Sequence, residues 1–295
     1  MIKTGVFLLC FAAVVQASVP IVLWHGMGDS CCFFGSLGRI INVLKDKIPG
    51  AEVFSLKFGD TVLQDIESSY FLNANRQVEL ACETLRSNSK LQDGYNAIGF
   101  SQGAQFLRAV AERCPTPPMK TLISIGGQHQ GVYGLPKCAQ PNPRWCDIVR
   151  KMLNHGAYIG WVQNGLVQAQ YWHDPLNEKD YKTYSIFLAD INNEKASKNE
   201  SYIENFKKLE KLVLVRFEKD SMVNPRESSW FGFYAPGQSR IILPYNETDL
   251  YKNNLIGLKD LVEENKVTFL SVDDDHLHFT IDWFTEEIIK KFLIS

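Results

Sequence analysis

Short apolar runs of four to six residues recur along the chain at 20–24, 95–100, 121–125, 212–215 and 267–270. They are rich in β-branched and aromatic side chains, as expected of strands buried on both faces. Between them the apolar period changes. Val78, Cys82 and Leu85 recur at helical spacing, as do Ala104, Leu107 and Ala111, and Trp283, Ile288 and Phe292 set among charges predict a closing helix. Strands that alternate with helices predict an α/β architecture: a mostly parallel sheet with helices on both faces. One interval, from about 128 to 208, breaks the rhythm. It is rich in Trp, Tyr, Asn and Gly, with a single strand-like run at 185–188. So long a stretch is not expected to be bare loop. It predicts a cap-like helical insertion over the sheet, within one domain covering 18–295.

The first residues, MIKTGVFLLCFAAVVQA, place Lys3 before an apolar stretch at 5–15 and end in a small-residue cleavage pattern. This reads as a secretory signal peptide covering 1–17, with an apolar run too short to span a bilayer. No later segment reaches the roughly 18 uninterrupted apolar residues that a transmembrane helix needs. Cleavage would remove Cys10 and leave six cysteines: Cys31, Cys32, Cys82, Cys114, Cys138 and Cys146. An exported protein matures where disulfides form, and six cysteines allow about 15 complete pairings. Cys138 and Cys146 bracket a short Pro-rich loop. Cys82 and Cys114 fall near the ends of two helical patterns that flank one strand. Cys31 and Cys32 would then pair with each other. The sequons at Asn199 and Asn246 become candidate glycan sites behind a signal peptide.

Composition narrows the function classes. The 295 residues are 45% apolar and 12% aromatic with a net charge of −2, which excludes a disordered chain. Near-neutrality without clustered Lys and Arg gives no footprint for nucleic acid.

The chemistry begins at Gly99-Phe100-Ser101-Gln102-Gly103, a G-x-S-x-G pentapeptide with an apolar strand before it and an amphipathic helix after it. In this nucleophile elbow the serine occupies a tight strand-to-helix turn, and side chains two residues to either side would collide with neighbours. A serine hydroxyl is a poor nucleophile at neutral pH and needs a base. The chain order for this architecture is Ser, then Asp or Glu, then His, each after a later strand. His25, His129, His155 and His173 lie too early. His276 and His278 remain, in Asp273-Asp274-Asp275-His276-Leu277-His278; His276 is the candidate base and His278 the alternative. The same cluster resembles a divalent-metal site, although loop acids are usually solvated; no metal is assigned. After the strand at 212–217, Asp220 is the candidate orienting acid, with Glu218 as the alternative. The oxyanion hole needs the amide after the nucleophile, Gln102, and a second from the loop after an early strand, most simply Met27 in His25-Gly26-Met27-Gly28-Asp29.

These motifs bring a family into view. Trp24-His25-Gly26-Met27-Gly28-Asp29-Ser30-Cys31-Cys32, the stretch 94–103, and Ile125-Gly126-Gly127-Gln128-His129-Gln130-Gly131-Val132 resemble the palmitoyl-protein thioesterase family. So do Tyr171-Trp172-His173-Asp174-Pro175, the stretch 186–192 and Trp230-Phe231-Gly232-Phe233-Tyr234. The resemblance runs over essentially the whole chain after the signal peptide. It implies an α/β-hydrolase fold with an inserted lipid-binding region. It further implies a Ser101, Asp220 and His276 triad, oxyanion amides at Met27 and Gln102, and disulfides Cys31–Cys32, Cys82–Cys114 and Cys138–Cys146. The implied activity is hydrolysis of S-palmitoylated proteins or peptides, and of palmitoyl-CoA-like thioesters, without a cofactor. Trp161, Tyr171, Trp172 and Phe187 are expected to line an acyl groove. Delivery to the lysosome, with a sorting receptor reading the glycans, is the implied route. A secreted serine esterase or lysophospholipase and a non-catalytic lipid-binding protein are the competing readings.

Overall fold

The computed structural model describes residues 18–134, 153 and 156–294. Six strands form one parallel sheet: β1 Ile21–Trp24, β2 Val53–Ser55, β3 Tyr95–Phe100, β4 Met119–Ile125, β5 Lys211–Phe217 and, after a separate antiparallel pair β6 Phe233–Tyr234 and β7 Ile242–Leu243, β8 Val267–Val272. Their order is β2-β1-β3-β4-β5-β8. Five of them are the apolar runs of the sequence. The sixth, β2, has only three half-buried residues at the sheet edge and leaves no comparable run.

Residue parity explains why the strands are apolar throughout. Val22, Trp24, Ala97, Leu122, Leu212 and Leu214 enter the core on one face. Ile21, Leu23, Ile98, Ile123, Val213 and Val215 enter the core on the other. Successive side chains point to opposite faces, so a sheet covered on both sides needs apolar residues at every position. Helix α1 Leu37–Lys47 covers the second face through Leu37, Ile40 and Leu44. A helical segment at 281–292 joins it, with Phe284 and Ile288 buried in its π-helical middle, Phe284–Ile289. After α2 Val62–Phe71, helices α3 Ala74–Ser87 and α4 Gln102–Arg113 cover the first face. Cys82 in α3 is bonded to Cys114, the residue after α4, and Cys31 is bonded to Cys32. Cys138 and Cys146 lie outside the described residues, as do residues 1–17. Among the described residues no helix is long and apolar enough to cross a membrane.

Between β4 and β5 the described chain forms short helices, Gly160–Gly165, Val167–Gln170, Glu178–Tyr184, Leu188–Ile191 and Glu200–Phe206. The strand-like run at 185–188 joins no sheet. The Ser185 amide closes the preceding helix on the Tyr181 carbonyl, and Leu188 starts the next helix. Phe187 is apolar because it is buried, edge-on to Phe106 of α4 at 5.3 Å between ring centroids. A short apolar run reports burial before it reports strand geometry.

Arg108 fastens this segment to α4. Its fully buried guanidinium pairs with Glu112 at 2.8 Å and donates to the carbonyls of Ile191 and His129 at 2.9 and 3.0 Å and to Asn192 Oδ1 at 2.8 Å. Removing one partner of a buried pair leaves the other charge without compensation. Arg108→Met is therefore expected to destabilise the fold by about 3–5 kcal/mol, read as a lowered urea midpoint at neutral pH. An Arg39→Met variant, on the opposite face, serves as the control and should move the midpoint little.

Candidate active site

The carboxyl ends of β1, β3 and β4 are level, with Trp24 beside Gly99 and Phe100 beside Ile125. The chain leaves β1 toward β2 on one side, while β3 lies on the other, so a crevice opens beyond these ends, as in other open α/β sheets. Ser101 stands there as the N-cap of α4, with φ 52° and ψ −121°. That backbone is unfavourable for an L-residue and is held from outside. The Ser101 amide donates to the Ile125 carbonyl at 2.8 Å. The flanking glycines are sterically required. A Cβ on Gly99 would lie 2.3 Å from Ala104 Cα, and one on Gly103 would lie 2.4 Å from the carbonyl oxygens of Trp24 and His25.

His276 arrives from the loop after β8. Its Nε2 is 2.9 Å from Ser101 Oγ and its Nδ1 is 2.7 Å from Asp220 Oδ2. The Asp220 carboxylate is fully buried, and its Oδ1 accepts the amides of Met222 and Val223, both at 2.8 Å. Two backbone amides thus hold one carboxylate oxygen and leave the other to the imidazole, which fixes the ring's orientation. The alternatives lie elsewhere. His278 is 70% exposed, 3.7 Å from Asp274, and Glu218 is paired with Arg216 at 2.7 Å.

Sequence reasoning passed over Asp275. Its carboxylate accepts the Ser221 amide at 2.8 Å, the Ser221 hydroxyl at 3.0 Å and the His276 amide at 2.7 Å. Burial alone would raise its pKa, but these donors and nearby His278 hold it below the usual carboxylate range. The Lys219 amide donates to the Asp274 carbonyl at 3.0 Å, so the loops after β5 and β8 are stitched together beside the imidazole. Nothing in the local pattern singles out Asp275 among three adjacent aspartates. Asp273 instead pairs with Lys219 at 3.2 Å, and among the described residues no group of three or more His, Cys, Asp or Glu side chains converges on a metal-sized site.

The earlier histidines have other surroundings. His129 is buried, and its pKa falls well below the ordinary value because of burial and nearby Arg108. Its Nε2 lies 2.8 Å from Ser124 Oγ. His173 is stacked between Tyr181 and Phe233. His155 lies outside the described residues.

A cleft lined by Met27, Val132, Leu153, Trp172, Met222 and Val223 opens over Ser101. Tyr171 also lines it. Burial raises the pKa of its hydroxyl, which donates to Gln102 Oε1 at 3.1 Å. Of the four aromatics expected here, Tyr171 and Trp172 border the cleft. Phe187 belongs to the core beside α4, and Trp161 is exposed.

The model of the palmitoyl protein thioesterase family matches residues 20–276. Palmitoyl-protein thioesterase 1 of Caenorhabditis elegans is 50% identical over 97% of this chain and 98% of its own. Palmitoyl-protein thioesterase 3 of Dictyostelium discoideum is 32% identical over 96% and 93%. The lysosomal thioesterase PPT2 homolog of Drosophila melanogaster is 28% identical over 92% and 89%. The six-stranded parallel sheet, with Ser101 in the strand-to-helix turn after β3 and Asp220 and His276 after later strands, has the α/β-hydrolase arrangement. With the match running from the residue before β1 to His276, this chain belongs to the palmitoyl-protein thioesterase family.

Proposed function

We propose that this chain hydrolyses the thioester of S-palmitoylated and other long-chain S-acylated proteins or peptides through an acyl-serine intermediate. One observation carries the reading: the unbroken hydrogen-bonded line from Ser101 Oγ through the His276 ring to the buried Asp220, at the floor of an apolar cleft. In this mechanism Ser101 Oγ attacks the thioester carbonyl carbon while His276 Nε2 takes its proton. Asp220 keeps the other ring nitrogen protonated and stabilises the imidazolium. The carbonyl oxygen takes up the displaced electron pair, facing the Met27 and Gln102 amides, whose benefit is greatest where water is excluded. Collapse of this intermediate breaks the C–S bond, and the cysteine sulfur leaves with the proton held by His276 Nε2, which returns the imidazole to its neutral form. His276 then takes a proton from water as its oxygen attacks the acyl-serine ester. The fatty acid departs, and the proton returns to Ser101. Every group required is a side chain or backbone amide of the chain, so the scheme uses no cofactor.

A non-catalytic lipid carrier has no use for a hydroxyl aligned on a charge-paired imidazole. The secretory and lysosomal route belongs to the same proposal. It is supported by the N-terminal pattern, by a relative named as a lysosomal thioesterase, and by the exposure of Asn199 and Asn246, whose glycans a sorting receptor would read.

The decisive assay compares wild type with Ser101→Ala on an S-palmitoylated peptide, palmitoyl-CoA and a matched oxygen ester. Wild type should cleave both thioesters, with kcat lowered about 10⁵-fold or more in Ser101→Ala. Asp220→Asn should lower kcat by about 10³–10⁴-fold, whereas Glu218→Gln and His278→Gln should retain wild-type rates. Cleavage of the oxygen ester alone would redirect the reading to an esterase or lysophospholipase. For the export route, enzymatic deglycosylation of protein made in a secretory host should shift its mass. Asn199→Gln and Asn246→Gln should each remove one glycan's share of that shift.

A further inference from the structure

The loop that brings Met27 to Ser101 is gripped by side chains that the reaction scheme leaves unused. We infer that His25, Asp65 and Ser69 are positioning residues that fix the Met27 amide as an oxyanion donor, an inference that rests on the hydrolase reading above. The loop, residues 25–31, runs from the end of β1 to the Cys31–Cys32 pair. Close approach to the nucleophile is built in at its start, where a Cβ on Gly26 would lie 3.2 Å from Ser101 Cβ. A segment so near the reacting atoms can displace an amide by an ångström with small backbone rotations, and an oxyanion donor acts only over hydrogen-bond distance.

Three contacts oppose that movement. At the start of the loop, buried His25 is held between the Gly26 carbonyl, 2.8 Å from Nδ1, and Asp65 Oδ1, 3.3 Å from Nε2. At its end, the Cys31 amide donates to Asp65 Oδ2 at 2.8 Å. In the middle, the amide of Gly28, the residue after Met27, donates to Ser69 Oγ at 2.9 Å. Asp65 and Ser69 stand one helical turn apart on α2, so one helix face grips the loop at three points. That helix is itself anchored. The Phe58 amide donates to Asp65 Oδ1 at 2.7 Å, and a capping box joins Thr61 and Gln64 at its N-terminus.

The same face reaches the second donor. The Ser69 carbonyl accepts Gln102 Nε2 at 3.0 Å, while Tyr171 donates to Gln102 Oε1. Thus Ser69 is bonded through its hydroxyl to the residue after Met27 and through its carbonyl to the Gln102 side chain, so α2 touches the residues that flank the oxyanion position on both sides. The directions of the pKa shifts agree with this geometry. Burial alone would lower the His25 pKa, but Asp65 and the Gly26 carbonyl raise it. Burial alone would raise the Asp65 pKa, but His25 and the Phe58 and Cys31 amides lower it. His25 and Asp65 are both buried, so replacing either leaves the other's polar atoms without that partner.

The test uses the full-length protein and a palmitoyl trifluoromethyl ketone. Ser101 Oγ adds to the ketone carbon, its proton passes to His276, and the ketone oxygen becomes an oxyanion facing the two amides. Palmitate, which forms no such adduct, reports the cleft alone. For Asp65→Asn, kcat on the palmitoylated peptide and ketone affinity are both expected to fall about 10²-fold, in step, with palmitate affinity within about twofold of wild type. Ser69→Ala should show the same parallel loss at about tenfold, restored by Ser69→Thr, which keeps the hydroxyl. Should Asp65→Asn fail to fold, the two Ser69 variants decide by the same ratios. Unchanged kcat, or ketone and palmitate affinities that fall together, would overturn the clamp. A wild type as inert as Ser101→Ala would instead overturn the hydrolase reading, so the two failures are told apart.

Discussion

The backbone at Ser101 is the constraint on which the remaining geometry depends. A serine held at φ 52° and ψ −121° must be enforced by its surroundings, at a cost of about 1–3 kcal/mol. The enforcement is steric. Gly99 and Gly103 let β3, α4 and the end of β1 approach more closely than any side chain would allow. The turn directs Oγ out of the sheet plane toward the loops after β5 and β8, and it leaves the Gln102 amide at the free N-terminal end of α4. A looser turn would satisfy the backbone and lose the alignment.

Around that point the molecule divides its work between two sets of loops. On one side, the loops after β5 and β8 are bonded to each other through Asp275 and Ser221, and they present the imidazole and its carboxylate as one unit. On the other side, α2 holds the loop after β1 through a second His–Asp contact, His25 with Asp65, that never reaches the nucleophile. Both halves follow one physical rule. A charged or hydrogen-bonding group near the reacting atoms stays fixed only if its own remaining valences are occupied. The parallel sheet is the rigid base that both halves share, because its two cores leave no face free to flex.

The region between β4 and β5 contributes in a different way. Arg108 and the aromatic packing of Phe187 tie its short helices to α4, the helix that begins at the nucleophile. Tyr171 and Trp172 carry that connection to the cleft, where Tyr171 bonds the Gln102 side chain. Part of the apolar wall beside the serine and the core packing beneath it therefore come from one stretch of chain.

Much of this was legible in the sequence. Strands buried on both faces are apolar at every position, so five of the six sheet strands stood out by composition alone. The elbow announced itself because its glycines are compelled by local sterics, and chain order reduced six histidines to two. The sequence stopped at choices settled by long-range contact. β2 is too short to leave a run, and the run at 185–188 is apolar through burial in a helical region. His276 and His278, or Asp220 and Glu218, differ only in which neighbour each meets once β5 and β8 lie side by side. Asp65, Ser69 and Asp275 look like ordinary polar residues in helix or loop. Periodicity and steric motifs are properties of adjacent residues, so the sequence by itself determined the layered α/β architecture and the nucleophilic turn. The pairing of distant polar groups depends on distances that exist only in the folded chain, and that part the tertiary structure alone decided.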